Sequence, residues 1–390
     1  MQRTGLRWGR WLARVVLGLV LLLAAAAIVI ALDNRGLPRR SRIVERLGAA
    51  EKARLAEAIH LRQALGDSVW PGWGRQDVPV VLYNERCAFV VGCPDPPRGW
   101  IKVPGQQTRG GPWVCVPDDS FAGSPYYMQS LPRPTVNPEA FTVRLGDRWA
   151  ASAPTLEWMR IDLARQIRSQ LPSALATVFP YRWAVRLLIG GTDGYLCLVE
   201  HEAFHAFQGS LAPERLAAAE RSTALEDEYE AASPGMAGAW GRELGLLARC
   251  ARSGTRAQCR TLAQRFLAQR SERRAAAGLS AALIDYERQR EWLEGLAKYV
   301  ELESWRRAAT SPGYRPLAAV ETDASFRGYA GFDRRRSREL TQMLWSKGDV
   351  RFYYSGMAQA MALDRLMPGW KSRALADSSR LEDLVGEAVR

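Results

Sequence analysis

The chain has 390 residues, 47% hydrophobic and 24% charged, with a formal net charge of +13. That is ordinary globular composition and enough length for one large core or two domains, so a disordered or fibrous chain is excluded. The cations are nearly all arginines, scattered rather than striped, with lysine only at 52, 102, 298, 347 and 371. Nucleic-acid binding wants a clustered basic stripe in a recognisable module, so no nucleic-acid partner is expected. Attraction to an anionic membrane surface is the easier use of the charge.

Residues 1–14 form a basic tail with Arg3, Arg7, Arg10 and Arg14 and no acid. Residues 15–32 are uncharged and apolar, at the short end of what spans a bilayer and longer than the core of a cleaved signal peptide. No A-x-A cleavage site follows. An uncleaved transmembrane anchor is expected, with the basic tail in the cytoplasm and the remainder periplasmic or extracellular, on the cytoplasmic (inner) membrane. Six cysteines fit an exported chain. Cys250 and Cys259 bracket a short loop that a disulfide can close. Cys87, Cys93 and Cys115 offer a second bridge, and Cys197 reads as a buried apolar residue.

Residues 33–66 read as a linker followed by an amphipathic helix over 41–66, on which His60 stands alone as a packing or surface residue. Over 67–152 Pro and Gly are dense. V-P-V-V-L-Y, C-A-F-V-V-G, W-I-K-V, P-W-V-C-V and F-T-V-R-L read as strands of a small β-rich lobe, with loops at 95–97 and 132–134. From 153 to 390 the pattern is mainly helical. Helices are expected over 156–171, from Asp193 as N-cap to about Gly209, and over 217–230, 236–252, 256–277 and 279–307, with breaks at 233–235, 253–254 and 278 and a further helix from Met357. The expected class is therefore α+β: a transmembrane helix, a β-rich lobe and a mainly helical domain.

Inside the helix that follows Asp193 stands His201-Glu202-Ala203-Phe204-His205, an H-E-x-x-H that uses two of the chain's three histidines. Residues four apart share one helix face, so both imidazoles can reach one metal ion, with Glu202 beside it as a general base. A catalytic zinc takes three protein ligands and a water, so one ligand is missing from the motif.

Further on, Glu291-Trp292-Leu293-Glu294-Gly295-Leu296-Ala297-Lys298-Tyr299 carries W-L-E-G-x-A-x-Y. Together with the H-E-x-x-H it resembles the gluzincin metallopeptidases, the thermolysin and aminopeptidase N type. The resemblance implies a zincin-like catalytic domain, Zn2+ as cofactor, His201, His205 and Glu294 as metal ligands, and Glu202 as catalytic base. Glu294 lies 89 residues after His205; Glu226, 21 residues after it, is the rival ligand. Glu301 and Glu303 read as a solvated helix face. Arg351-Phe352-Tyr353-Tyr354-Ser355-Gly356 resembles the Y-x-x-G tyrosine motif of the aminopeptidase-type members, which implies Tyr353 as oxyanion donor, with Tyr354 the alternative. The G-x-M-E-N segment by which aminopeptidases hold a substrate amine is absent, so endo- and exopeptidase action both stay open. The leading expectation is a membrane-anchored zinc metallopeptidase acting on a peptide or protein substrate. The alternative is a non-catalytic zinc-binding envelope interaction protein with the same fold.

Overall fold

A computed structural model describes residues 3–131, 141–232, 235–376 and 379–390; the loop read at 132–134 and the break at 233–234 lie outside them. The chain is mixed α+β, 64% helical, with an N-terminal apolar helix and one eight-stranded sheet. It gathers into two contact units, Met1–Arg42 with Thr155–Gly191, and Ile43–Pro154 with Thr192–Arg390.

The first unit is all helix. Arg3–Arg35 contains the apolar run, and its stretch Arg14–Arg35 is long and apolar enough to cross a membrane. Leu156–Gln170 starts at Thr155, whose hydroxyl accepts from the Trp158 N–H at 3.3 Å, and stops before Pro172. Two short helices that periodicity did not reveal, Ser173–Val178 and Tyr181–Ile189, complete the unit.

The second unit carries the sheet. Its strands are β1 Val80–Tyr83, β2 Cys87–Val91, β3 Trp100–Lys102, β4 Thr108–Arg109, β5 Val114–Cys115, β6 Tyr127–Ser130, β7 Phe141–Leu145 and β8 Arg148–Pro154, in the order β4-β3-β7-β8-β1-β2-β6-β5. All pairs are antiparallel except β1 with β8. The five expected runs fall on β1, β2, β3, β5 and β7. β8 escaped because its Ala150-Ala151-Ser152-Ala153 has none of the bulky residues that signal a strand. It lies between β7 and β1, where small side chains are buried. Gly146, at φ +59°, opens the two-residue β7–β8 turn, a place that needs a positive φ.

The helices of this unit differ from expectation at several ends. The first begins at Ala49 and not at 41, and runs to Val69. The stretch expected as one helix over 217–230 is broken by a tight turn at Ser222–Leu225. Asp193 lies within the first turn of the motif helix Gly191–Leu211, not at its N-cap, and accepts backbone N–H bonds from Arg327 (2.8 Å) and Tyr329 (2.6 Å). The last long helix begins at Val350, so Tyr353 and Gly356 are within it, not ahead of it.

Cys250 and Cys259 are bonded, as their spacing suggested. The second bridge is not formed: Cys87, Cys93 and Cys115 are free thiols, as is the buried Cys197. The bonded cysteines are 9 residues apart, joining the helices Ala237–Arg252 and Arg256–Ala276. Chain-entropy arithmetic for so short a loop gives about 2–3 kcal/mol. Changing both to serine is expected to lower the unfolding free energy by that amount in urea titrations of the detergent-solubilised chain.

Candidate metal centre

The motif helix is buried on nearly every side, its polar residues included. Phe204 meets Trp70 and Trp73 edge-on, with ring centres 5.1 and 5.6 Å away. The Tyr195 hydroxyl donates to Pro154 O at 2.9 Å, tying the helix to the end of β8. A Cβ on Gly209 would come within 2.5 Å of the Trp149 ring, so only glycine lets the helix lie that close to the sheet. These contacts fix where His201, Glu202 and His205 sit, all three buried.

Glu294 is brought to them by a second helical run. Ala281–Arg290 and Leu296–Thr310 are joined by a π-helical turn, Glu291–Gly295, and Glu294 sits in that turn. Such turns insert one residue into a helix and change which side chains share a face. A Cβ on Gly295 would meet Gly356 Cα at 2.4 Å, and one on Gly356 would meet Glu291 O at 2.3 Å. The paired glycines let the π turn and the helix Val350–Leu366 touch backbone to backbone. This contact gives the glycines of W-L-E-G and Y-x-x-G a physical purpose.

His201 Nε2 and His205 Nε2 are 3.2 Å apart, and each is 3.4 Å from Glu294 Oε2. His201, His205 and Glu294 form a buried group able to hold a metal ion. The ring hydrogens follow from the neighbours. Gln208 Nε2 donates to Trp292 O at 2.9 Å, so its Oε1 must accept the hydrogen of His205 Nδ1, 2.9 Å away. His201 Nδ1 faces Glu301 Oε2, an acceptor, at 3.6 Å. With the hydrogen of each neutral ring on Nδ1, both Nε2 lone pairs face a carboxylate oxygen, an arrangement that calls for a cation there, either a proton on the rings or a metal ion between them.

The charges around the group agree. Burial disfavours the charged imidazole of His201, but Glu294, Glu301 and Glu202 outweigh it and push it up to about 10. Burial opposes ionisation of Glu294 as well, yet His205, His201 and Arg290 hold its carboxyl well below the usual range. Arg290 Nη2 donates to Glu294 Oε1 at 3.1 Å and is itself held by Asp349, leaving Oε2 for the histidines.

Glu202 differs from its neighbours. Burial pushes its carboxyl up to about 7, against the pull of His201 and His205. Among the described residues nothing hydrogen-bonds it. Tyr353 stacks its ring on His201, with centres 5.9 Å apart and planes 10° from parallel. Burial, then Glu294 and Asp349, push its hydroxyl well above the ordinary value, so it stays a donor. Tyr354 turns the other way and donates to Glu339 Oε2 at 2.8 Å. Glu226 is exposed on the helix Glu226–Ala232, apart from the group.

No protein family, curated protein or solved structure matches the chain. The reading of the site therefore rests on its own geometry.

Glu303 pairs with Arg306 and Arg307 on the helix surface. Glu301 does not belong to that solvated face: it is buried between His201, Lys298 and Arg335. Glu301 and Gln208 are the site residues that sequence alone misses. The only available signal was spacing, since Gln208 lies three residues after His205 and Glu301 seven after Glu294. Removing such outer partners weakens metal binding by about 10–100-fold. Gln208→Leu is expected to show a loss of that size in competition with a chelator, while Glu226→Ala leaves affinity unchanged.

Proposed function

We propose that the chain is a membrane-anchored zinc metallopeptidase that hydrolyses peptide bonds outside the cytoplasm, with the gluzincin-type site its motifs resemble. The observation that carries this is the triangle of donor atoms. Zinc with ligands at about 2.0–2.1 Å in a tetrahedron places them about 3.3–3.4 Å apart. The measured edges are 3.2, 3.4 and 3.4 Å, from two imidazole nitrogens and one carboxylate oxygen. Zinc bound there supplies a Lewis acid and lowers the pKa of water to near 7.

The chain's own residues supply the rest. Gln208 sets the His205 tautomer, the Glu301 carboxylate faces His201 Nδ1 at 3.6 Å and favours a hydrogen there, and Arg290 orients Glu294. Glu202 is uncommitted and poised near neutral pH, the condition for accepting a proton from water and passing it to the leaving amine. The Tyr353 hydroxyl is a donor for the oxygen that gains charge as the carbonyl is attacked. The helix around residues 15–32 is the anchor, and the Cys250–Cys259 disulfide fits an oxidising compartment on the far side.

The test uses the full-length chain purified in detergent. Elemental analysis is expected to find stoichiometric zinc, and a peptide library is expected to be cleaved. Chelation should abolish cleavage and added zinc should restore it. Zinc without cleavage of any peptide would replace this reading with the non-catalytic envelope interaction protein. Absence of zinc would remove both.

A further inference from the structure

The short helices after Pro172 bury little of their apolar surface. Leu175, Trp183, Leu187 and Leu188 are all exposed, Trp183 by 65% and Leu188 by 64%. On Tyr181–Ile189 the inward face is Tyr181, Ala184 and Val185. The outward face carries Trp183 and Leu187, four residues apart, flanked by the exposed Arg182 and Arg186. Four large apolar side chains exposed on the seventeen residues from Ser173 to Ile189 ask for a partner.

The same segment is fastened to the end of the apolar helix. Asn34 Nδ2 donates to Thr177 O and to Phe179 O, both at 2.9 Å. Asp33 pairs with Arg182 at 3.0 Å. The apolar run ends at Leu32, so these anchors lie about 3 Å further along the helix axis. A chain segment tied at that height meets the boundary between acyl chains and headgroups. Over 155–191 five arginines face two acids, Glu157 and Asp162, which suits anionic lipid.

We infer that Ser173–Val178 and Tyr181–Ile189 form an interfacial foot, with Leu175, Trp183, Leu187 and Leu188 inserted among the lipids beside the anchor. Trp183 sits at the headgroup level, as tryptophans at membrane interfaces do, and Arg186 extends its charge to the lipid phosphates. The foot holds the first unit against the bilayer at two points instead of one. This rests on the reading of residues 15–32 as an anchor.

The experiment places nitroxides on the full-length chain in vesicles of phosphatidylethanolamine and phosphatidylglycerol. Cys115, the exposed free thiol, is first changed to serine. Labels go on Leu188→Cys, with Leu175→Cys as a second probe of the foot, and on Leu21→Cys in the apolar helix. Relaxation by oxygen with loss of relaxation by a water-soluble nickel chelate at 21, 175 and 188 is the expected result. Oxygen-dominated relaxation at 21 with nickel-dominated relaxation at 175 and 188 overturns the foot and leaves the anchor standing. Nickel-dominated relaxation at 21 removes the anchor reading, and the foot with it. Spin–spin broadening at 188 means that a second copy of the chain covers the face, and also overturns the proposal.

Discussion

Glu202→Gln is expected to keep stoichiometric zinc and to lose about 10²–10⁴-fold in kcat/KM on any peptide the wild type cleaves, the usual worth of a positioned general base. Glutamine has the shape of glutamate but cannot take a proton from water. No described residue hydrogen-bonds Glu202, so the change breaks no internal contact, and because burial disfavours the charged carboxylate, the neutral glutamine is expected to leave the fold no less stable than wild type at neutral pH and above. The direction of the pH profile follows from the environment. Burial raises the carboxyl to about 7, so the base form fills as pH rises toward that value. A cation bound beside it shifts the ionisation down, so the acidic limb of kcat/KM should lie at or below pH 7 and vanish in the glutamine variant. Equal cleavage by variant and wild type would take the base away from Glu202.

The parts of this site that sequence discloses are those written in short-range spacing. His201 and His205 are four apart on one helix, and their shared face needs no tertiary information. Glu294 was reachable because W-L-E-G-x-A-x-Y is a local pattern; the structure puts it beside the histidines and leaves Glu226 in solvent. Tyr353 and Tyr354 could not be separated by sequence, since adjacent residues differ only in the side of the helix they occupy. The stacking of Tyr353 on His201 separates them. Helix start points were misplaced where a loop was apolar enough to mimic periodicity, as at 41–48. β8, buried from Ala150 onward, was missed because Ala and Ser carry no strand signal. Composition also marks where strands are, and contact units follow packing: the strand-rich segment and the motif helix share one unit.

Least visible of all was the use of the arginines. Several of the arginines that read as scattered are interior. Arg270, Arg273 and Arg274, on Arg256–Ala276, meet Glu243, Glu287, Glu291 and Glu382 with all seven side chains buried. Such a network has a signature in acid. Burial opposes ionisation of Glu287, but Arg273 and Arg274 outweigh it and hold its carboxyl down at about 2; Glu382 is likewise held below the usual range. A depressed folded pKa gives stability that is fully present above the unfolded value, about 4.3, and is lost as pH falls through the folded one. The second unit should therefore lose stability steadily from about pH 4.5 toward pH 2.

Arg270→Met is expected to cost about 3–5 kcal/mol, the toll of leaving a buried charge without its partner. The cost falls unevenly on the acids that Arg270 serves. Glu243 keeps Arg273 at 2.8 Å, and Glu382 keeps Arg274 at 2.8 Å. Among the described residues Glu291 retains only the Ser355 hydroxyl, at 2.6 Å, after losing the bidentate guanidinium that holds both its oxygens. Glu291 opens the π turn that carries Glu294, and its carbonyl lies against Gly356. An uncompensated charge there should push the turn toward solvent and pull Glu294 out of line with the two histidines. Loss of stability and loss of metal should therefore appear together in Arg270→Met, read by urea unfolding and by zinc content. Adding Glu291→Gln removes the orphaned charge and keeps a hydrogen-bonding group for Ser355. The double variant is expected to regain a substantial share of both. Recovery of neither would mean that Arg270 acts through Glu243 or Glu382, and that the π turn holds Glu294 in place without it.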